Sequence, residues 1–225
     1  MERKYQFKTD LLDVHKKDRR DFSLSPGSDE AELKNGLSLV VPENAGNVVM
    51  TAVRDFADYL FTSMKVSAMI TEHGDKNAIK ISLNQDIEEA SGYMGYRITV
   101  SDESITLEGY DERGIAQGLY YLEDLMNMRK APFLKKGVIK RKALFAPRFT
   151  HSPFGMFEYP EAALSLMAHY GIDVITLWIK DGFTTQRNDF IDLRLLAERA
   201  ERYGIDISVS LKAAHNKHPE EPGAQ

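Results

Sequence analysis

A tetrapeptide that recurs after 33 residues constrains the fold of this chain more than any other feature. Tyr-Gly-Ile-Asp occurs at 170–173 and again at 203–206, and each copy joins an amphipathic helical pattern (162–170 and 193–203) to an apolar run typical of a strand. A glycine directly after a helical pattern is a common helix stop. The repeat therefore predicts two copies of a helix, glycine, strand unit.

An earlier strand, predicted at 145–149, precedes the first unit at a similar spacing. Three strands joined by two helices follow the βαβ logic of a parallel sheet. Units of about 30 residues suit an eight-stranded (β/α)8 barrel, although a doubly wound sheet is built from the same units. We interpret residues 137–225 as the first βα units of a TIM barrel. Because three parallel strands cannot close a barrel, we expect the chain to be the N-terminal portion of a longer protein.

The first half of the chain shows a different pattern, in which a hairpin leads directly into a helix. Residues 96–100 and 105–107 alternate apolar and polar side chains on either side of a turn, which predicts two antiparallel strands. From Glu112 onwards, apolar residues recur every third or fourth position, and Asp111 is placed to cap the helix that this spacing predicts.

Further strands are predicted at 37–41, 65–70 and 78–83, with a helix over 49–60. The order β-α-β-β-β-β-α is typical of an α+β domain that has helices on one face of a mainly antiparallel sheet. We therefore assign residues 1–136 to an α+β accessory domain that precedes the partial barrel.

The composition limits the binding partners and the cellular compartment that we expect for this protein. The formal net charge is -5 and no basic stripe is present, so we expect no nucleic-acid partner. No apolar run reaches the roughly 18 residues of a membrane span, and the charged N-terminus is unlike a signal peptide. The absence of cysteine fits a reducing compartment, so we expect a cytoplasmic protein. No nucleotide fingerprint or zinc-ligand spacing is apparent, and we expect no cofactor and no metal site.

The two halves, in this order, resemble the family 20 glycoside hydrolases, the β-N-acetylhexosaminidase-like enzymes. The strands 96–100 and 105–107 and the helix with Gly114 and Gly118 resemble the small α+β domain of that family, and Pro147-Arg148-Phe149 resembles the motif that opens its first barrel strand. The resemblance implies a hydrolase that cleaves terminal glycosidic bonds of a carbohydrate substrate. It also implies that the catalytic Asp-Glu pair follows a fourth barrel strand, so we assign no catalytic residue to this chain and expect residues 1–225 alone to be inactive.

Six residues near the predicted strand ends are candidates for substrate binding, because the carboxyl ends of barrel strands form the active-site mouth. Trp178 is suited to stacking on a sugar ring, although a lone aromatic in an apolar strand also fits a core position. Arg148 is suited to binding a hydroxyl or a carboxylate, and equally to bracing the domain interface. The full set is Arg148, His151, Trp178, Lys180, Asp181 and His215.

Two other functions stay open. Ser152 stands where the family has a sugar-binding arginine, which suits a glycosidase of another family that shares the accessory domain, such as one acting on uronic acids. A non-catalytic carbohydrate-binding or scaffold protein fits as well. The sequence leaves the sugar, the linkage, the stereochemical outcome and the oligomeric state undecided.

Overall fold

The computed structural model describes residues 13–152, 159–179 and 187–211. At 151–152, 178–179, 187–192 and 211 it describes the backbone but not the side chains. The α-helices of these residues are α1 (Asn47–Tyr59), which continues into a π-helical turn (Leu60–Met64), α2 (Glu112–Arg129), α3 (Glu161–His169) and α4 (Arg187–Glu201), and a short 3-10 helix spans Glu88–Ala90. The strands are β1 (Glu30–Glu32), β2 (Leu37–Val40), β3 (Ala68–Thr71), β4 (Ala78–Leu83), β5 (Tyr96–Val100), β6 (Ile105–Gly109), β7 (Phe133–Lys135), β8 (Gly137–Arg141), β9 (Phe149–Ser152), β10 (Val174–Ile179) and β11 (Asp206–Leu211).

Six of the strands form one mixed sheet in the order β3-β2-β4-β6-β5-β8, and β1 pairs separately with β7. The predicted hairpin is confirmed, because β5 and β6 are antiparallel, with Tyr96 opposite Gly109 and Val100 opposite Ile105. The prediction of a mainly antiparallel sheet is wrong. Strand β2 pairs in parallel with both β3 and β4, and β4 pairs in parallel with β6. The parallel pair β2 and β3 arises because α1 carries the chain back across the sheet before β3 begins.

Helices α1 and α2 pack against each other and cover one face of this sheet, as the sequence predicts. Phe56 and Tyr59 of α1 and Leu119 of α2 are fully buried, together with Leu39 and Leu107 from the sheet. Complete burial of a side chain of this size contributes about 1.5–3 kcal/mol to folding. This layer therefore forms the main hydrophobic core of the first half.

Helix α2 is fixed at its start, at its middle and at its end. At its start, the Gly114 amide donates to Asp111 Oδ1 at 2.6 Å, which confirms the predicted cap. At its middle, Gly118 lies so close to the sheet that a Cβ would fall 2.4 Å from Leu107 Cδ1. The helix ends where Lys130 adopts a left-handed backbone with φ of 55°.

Strands β9, β10 and β11 form a second sheet, which is parallel throughout and in sequential order. Helix α3 joins β9 to β10, and α4 joins β10 to β11, so the two predicted helix, glycine, strand units are confirmed. Gly171 and Gly204 have φ of 70° and 69°, in the left-handed region. The next residue, Ile172 or Ile205, donates its amide to the carbonyl five positions earlier, as in a Schellman stop.

The limits of the strand predicted at 145–149 are wrong, because β9 spans Phe149–Ser152. Phe145 is 78% exposed, so the apolar run precedes the strand without forming it. Arg148 consequently comes before β9 and does not follow a strand as expected. Three parallel strands are common to barrels and to doubly wound sheets, so the partial barrel stays a prediction.

The second half lies against α2 of the first half. The Gln117 side-chain amide donates to the Ala168 carbonyl at 2.8 Å, and Arg113 pairs with Asp206 at 2.8 Å. Across the parts of the chain that the structure describes, no helix has both the length and the apolar character needed to cross a bilayer. The division into domains at residues 136 and 137 stays a prediction, and β8 belongs to the six-stranded sheet.

Candidate functional site

The carboxyl ends of β9, β10 and β11 meet at one edge of the parallel sheet, and two predicted site residues lie there. His151 is the penultimate residue of β9, and Trp178 is the penultimate residue of β10. His151 lies opposite Thr176, and Trp178 lies opposite Ser210. Because residues two apart on a strand share a face, His151 and Trp178 occupy positions on the same face of the sheet.

Three other predicted site residues, Lys180, Asp181 and His215, lie outside the described residues. Lys180 and Asp181 directly follow β10 in the sequence, and His215 follows β11. Their participation in a site at this edge stays a prediction.

Arg148 lies at the opposite edge of the same sheet, where the strands begin. Its guanidinium donates to the Met94 sulfur at 3.1 Å and passes beneath Gly171, where an added Cβ would lie 2.5 Å from Nη1. Its backbone amide donates to Asp173 Oδ1 at 2.5 Å. In this structure the contacts of Arg148 therefore join the two halves of the chain, and they do not bring it to the edge that carries His151 and Trp178.

The aspartates of the two repeats, Asp173 and Asp206, also lie at this amino-terminal edge. Asp173 is fully buried, accepts the Arg148 amide and has its own carbonyl bonded by the Asp206 amide at 2.8 Å. The Asp206 side chain pairs with Arg113 of α2. Both aspartates therefore have structural partners.

A second polar site, which sequence analysis missed, lies inside the interface between α1, α2 and α3. It contains two imidazoles and two carboxylates from four separate segments: His15 before the first strand, Asp55 on α1, Glu123 on α2 and His169 at the end of α3. One ligand atom from each residue lies within 4.8 Å of the other three. We call these four residues the interface cluster.

Each imidazole of the interface cluster faces both carboxylates. His15 Nε2 lies 3.2 Å from Asp55 Oδ2 and 3.7 Å from Glu123 Oε2. His169 Nε2 lies 3.1 Å and 3.2 Å from the same two oxygens. The four polar atoms thus surround a common centre.

The outer ring nitrogens of both histidines have acceptors of their own. His169 Nδ1 lies 2.8 Å from the Ser165 carbonyl, and His15 Nδ1 lies 2.8 Å from Asp58 Oδ2. The His169 ring stacks on Tyr120, with 3.9 Å between ring centroids. These contacts fix the orientation of both rings and direct Nε2 towards the cluster centre.

Burial and mutual attraction shift the protonation equilibria of the cluster in opposite senses. Burial by itself lowers the pKa of each imidazole, but the attraction of Asp55 and Glu123 outweighs it and raises the pKa of His15 to about 9 and that of His169 to about 10. Burial works to raise the pKa of Asp55, yet the two imidazoles hold that pKa well below its usual range. Burial raises the pKa of Glu123 to about 6. The cluster therefore balances charges of both signs in a site shielded from water.

Only one of the four positions gives a signal in the sequence. Glu123 lies on the apolar stripe of α2, four residues after Leu119 and three before Met126, where a charge needs a buried partner. Residues 15, 55 and 169 are far apart along the chain and show no ligand spacing. Their convergence depends on how the helices pack.

Glycoside hydrolases of several families have folds similar to that of this chain. The β-hexosaminidase of Streptomyces plicatus superposes with a TM-score of 0.64 at 15% identity, over 84% of this chain and 44% of the enzyme. A family GH138 enzyme that targets pectin rhamnogalacturonan II gives a TM-score of 0.57 at 15% identity, over 75% of this chain and 24% of the enzyme. A family GH115 4-O-methyl-α-glucuronidase with specificity for decorated arabinogalactans gives a TM-score of 0.58 at 16% identity, over 80% of this chain and 29% of the enzyme.

The chain therefore shares its fold with part of each of these enzymes, and it spans less than half the length of each. No protein-family model and no curated protein sequence matches it. Likeness at these identities shows the fold alone, and it extends to families other than family 20.

Proposed function

We propose that this chain is part of an enzyme that hydrolyses terminal glycosidic bonds of a carbohydrate. The observation that carries the proposal is the position of His151 and Trp178 at the carboxyl edge of a parallel sheet, in a chain whose fold is shared with several glycoside hydrolase families. This is the edge at which parallel α/β folds bind their substrates.

The chemistry requires two carboxyl groups across the glycosidic bond. One protonates the leaving oxygen, and the other activates water or attacks the anomeric carbon; in the acetamido-assisted variant, the acetamido group of the substrate replaces the attacking carboxylate. We assign none of these acids to residues 1–225. In this proposal the chain binds the sugar: Trp178 stacks on a ring face and His151 bonds a hydroxyl. Lys180, Asp181 and His215, which follow β10 and β11 in the sequence, are proposed to contribute to the same site.

β-N-Acetylhexosaminides are the first candidate substrates, because of the resemblance of the hairpin, the helix and Pro147-Arg148-Phe149 to family 20. Uronides are the second. Ser152 replaces the arginine expected there, and a GH115 glucuronidase is among the proteins of similar fold.

The test is hydrolysis of a panel of aryl glycosides by the full-length protein, followed by kinetics of Trp178→Ala. Loss of a stacking contact costs about 0.5–1.5 kcal/mol, which is roughly two- to twelvefold in kcat/KM. Tyr170→Ala is the matched control. Tyr170 is an aromatic residue that is 75% exposed, and it lies between the end of α3 and the start of β10, away from the carboxyl edge that carries Trp178. Unchanged kcat/KM in Trp178→Ala, or no turnover of any N-acetylhexosaminide, uronide or neutral glycoside, contradicts the proposal.

A second candidate function is carbohydrate binding without catalysis. Among the described residues, the last two positions of β9, β10 and β11 hold no carboxylate. Calorimetric binding of a glycan to the full-length protein, with no product after prolonged incubation, favours this candidate over the hydrolase.

A further inference from the structure

We infer that the interface cluster of His15, Asp55, Glu123 and His169 binds a divalent transition-metal ion, with zinc as the best match. This inference stands apart from the proposed sugar chemistry, because the cluster lies between helices and away from the carboxyl edge of the parallel sheet.

The distances within the cluster fit a small tetrahedral ion. Zinc bonds to imidazole nitrogen and carboxylate oxygen at about 2.0–2.2 Å, which places neighbouring ligand atoms about 3.3–3.5 Å apart. The four distances between an imidazole nitrogen and a carboxylate oxygen are 3.2, 3.7, 3.1 and 3.2 Å. All four ligand atoms lie within 4.8 Å of one another, so small side-chain movements suffice to complete the tetrahedron.

The surroundings of both histidines are those of metal ligands. A ligating imidazole usually donates its second N–H to a carboxylate or to a backbone carbonyl, which fixes its tautomer and orientation. His15 has the carboxylate of Asp58 at Nδ1, and His169 has the carbonyl of Ser165 at Nδ1. Both rings therefore present Nε2 to the centre.

The inner atoms of the cluster have hydrogen-bonding capacity that the protein leaves unused. His15 Nε2 and Asp55 Oδ2 both face the centre of the cluster and are buried without a hydrogen bond of good geometry, although they lie only 3.2 Å apart. His15 is 7% exposed and Glu123 3%. Buried polar atoms are normally hydrogen-bonded, so two such atoms that face one point indicate a ligand that bonds through lone pairs.

The donor set and its charge select the class of ion. Metal binding displaces the ring protons at Nε2, and the two carboxylates and two neutral imidazoles then carry a charge of about −2, which a divalent ion neutralises. Imidazole nitrogens favour zinc, copper, iron or nickel over calcium and magnesium, which prefer oxygen. With four protein ligands the site has no open position, as in structural zinc sites. The ion would tie α1 and α2 of the first half to α3 of the second.

The experiment is metal uptake by the chelator-treated full-length protein. We expect about one zinc per chain by elemental analysis, a rise in Tm of about 5–10 °C at saturating zinc, and visible d–d absorption typical of tetrahedral coordination when Co²⁺ replaces zinc. Glu123→Gln and His169→Gln should lose uptake and absorption, whereas His73→Gln, a change of an exposed histidine outside the cluster, should keep both.

The wild-type measurement decides the matter even if a cluster variant fails to fold. Wild-type protein that takes up no stoichiometric Zn²⁺ and shows no tetrahedral Co²⁺ spectrum overturns the inference, and leaves two imidazolium ions as the groups that balance the carboxylates. Uptake that persists in folded Glu123→Gln and His169→Gln also overturns it, because the ion would then bind elsewhere. The glycosidase assay is independent of both outcomes.

Discussion

The guanidinium of Arg148 occupies the space that a side chain on Gly171 would need. A Cβ at Gly171 would lie 2.5 Å from Arg148 Nη1, and the glycine itself has φ of 70°. Gly171, which ends α3, and Arg148, which precedes β9, therefore constrain each other. The Arg148 guanidinium also contacts Met94 in the first half. The position of the parallel sheet against the six-stranded sheet rests partly on this packing.

Gly171→Ala should lower the free energy of unfolding by about 2–4 kcal/mol, because a left-handed alanine is strained and its methyl group displaces the half-buried Arg148 guanidinium. Gly36→Ala is the matched control: Gly36 also has a positive φ, of 76°, but nothing lies within 4 Å of its Cβ position. That change should cost only about 1 kcal/mol. Equal losses in urea unfolding of the two variants would show that the Arg148 contact contributes nothing.

Gly118→Ala should destabilise the protein by about 1–3 kcal/mol, although alanine is the better helix former by about 1 kcal/mol. The reason is the 2.4 Å approach of the added Cβ to Leu107 Cδ1. Shortening the neighbour in the double variant Gly118→Ala with Leu107→Val should recover part of the loss, so a double-mutant cycle should show favourable coupling. An increase in stability from Gly118→Ala alone contradicts the close approach of α2 to β6.

Glu30→Gln should reduce stability at neutral pH by about 1 kcal/mol, the scale of an ion pair whose arginine, Arg129, is partly exposed to solvent. Glu30 accepts hydrogen bonds from Arg129 at 2.7 Å and 3.0 Å, and these bonds lower the pKa of Glu30 to about 2. A depressed carboxyl pKa stabilises the folded state above the unfolded pKa, and this stabilisation is lost as the pH falls from about 4.5 towards 2.

The difference in unfolding free energy between wild type and Glu30→Gln should therefore shrink over that acidic range. Glu32→Gln, on the same strand and exposed, is the control for removing one negative charge from this strand. A Glu30→Gln difference that is constant between pH 6 and about pH 2.5 is the result that contradicts this assignment.

Tyr59→Phe should cost about 0.5–1.5 kcal/mol, since the buried Tyr59 hydroxyl donates to the Glu123 carbonyl at 3.0 Å and lies 3.1 Å from Asn127 Oδ1. The hydroxyl links α1 to α2. Tyr170→Phe removes an exposed hydroxyl and should leave thermal unfolding unchanged. Equal melting temperatures for the Tyr59→Phe variant and the wild type would exclude a net contribution from this bond.

Local patterns predict much of this fold. The alternation at 96–107, the Asp111 cap and the two Tyr-Gly-Ile-Asp stops all appear where the sequence places them, because each depends on contacts within a few residues. Strand order does not depend on such contacts. Strand β4 lies between β2 and β6, and the sequence carries no local sign of which distant strand becomes a neighbour.

The site is less predictable than the fold for the same reason. The places of His151 and Trp178 near strand ends are predictable from the strand patterns. The prediction that Arg148 follows a strand is wrong, because the exposed run containing Phe145 resembles a strand in sequence and β9 begins only at Phe149. The interface cluster joins residues 15, 55, 123 and 169, so it exists only after three helices and an N-terminal segment have packed together.

The most direct test of the proposed function is a crystal structure of the full-length protein with a bound monosaccharide or glycan product. The account predicts the sugar at the carboxyl edge of β9, β10 and β11, with the Trp178 ring against a sugar face and His151 within hydrogen-bond distance of a hydroxyl. A sugar bound instead at the amino-terminal edge beside Arg148, or on the six-stranded sheet, would contradict it.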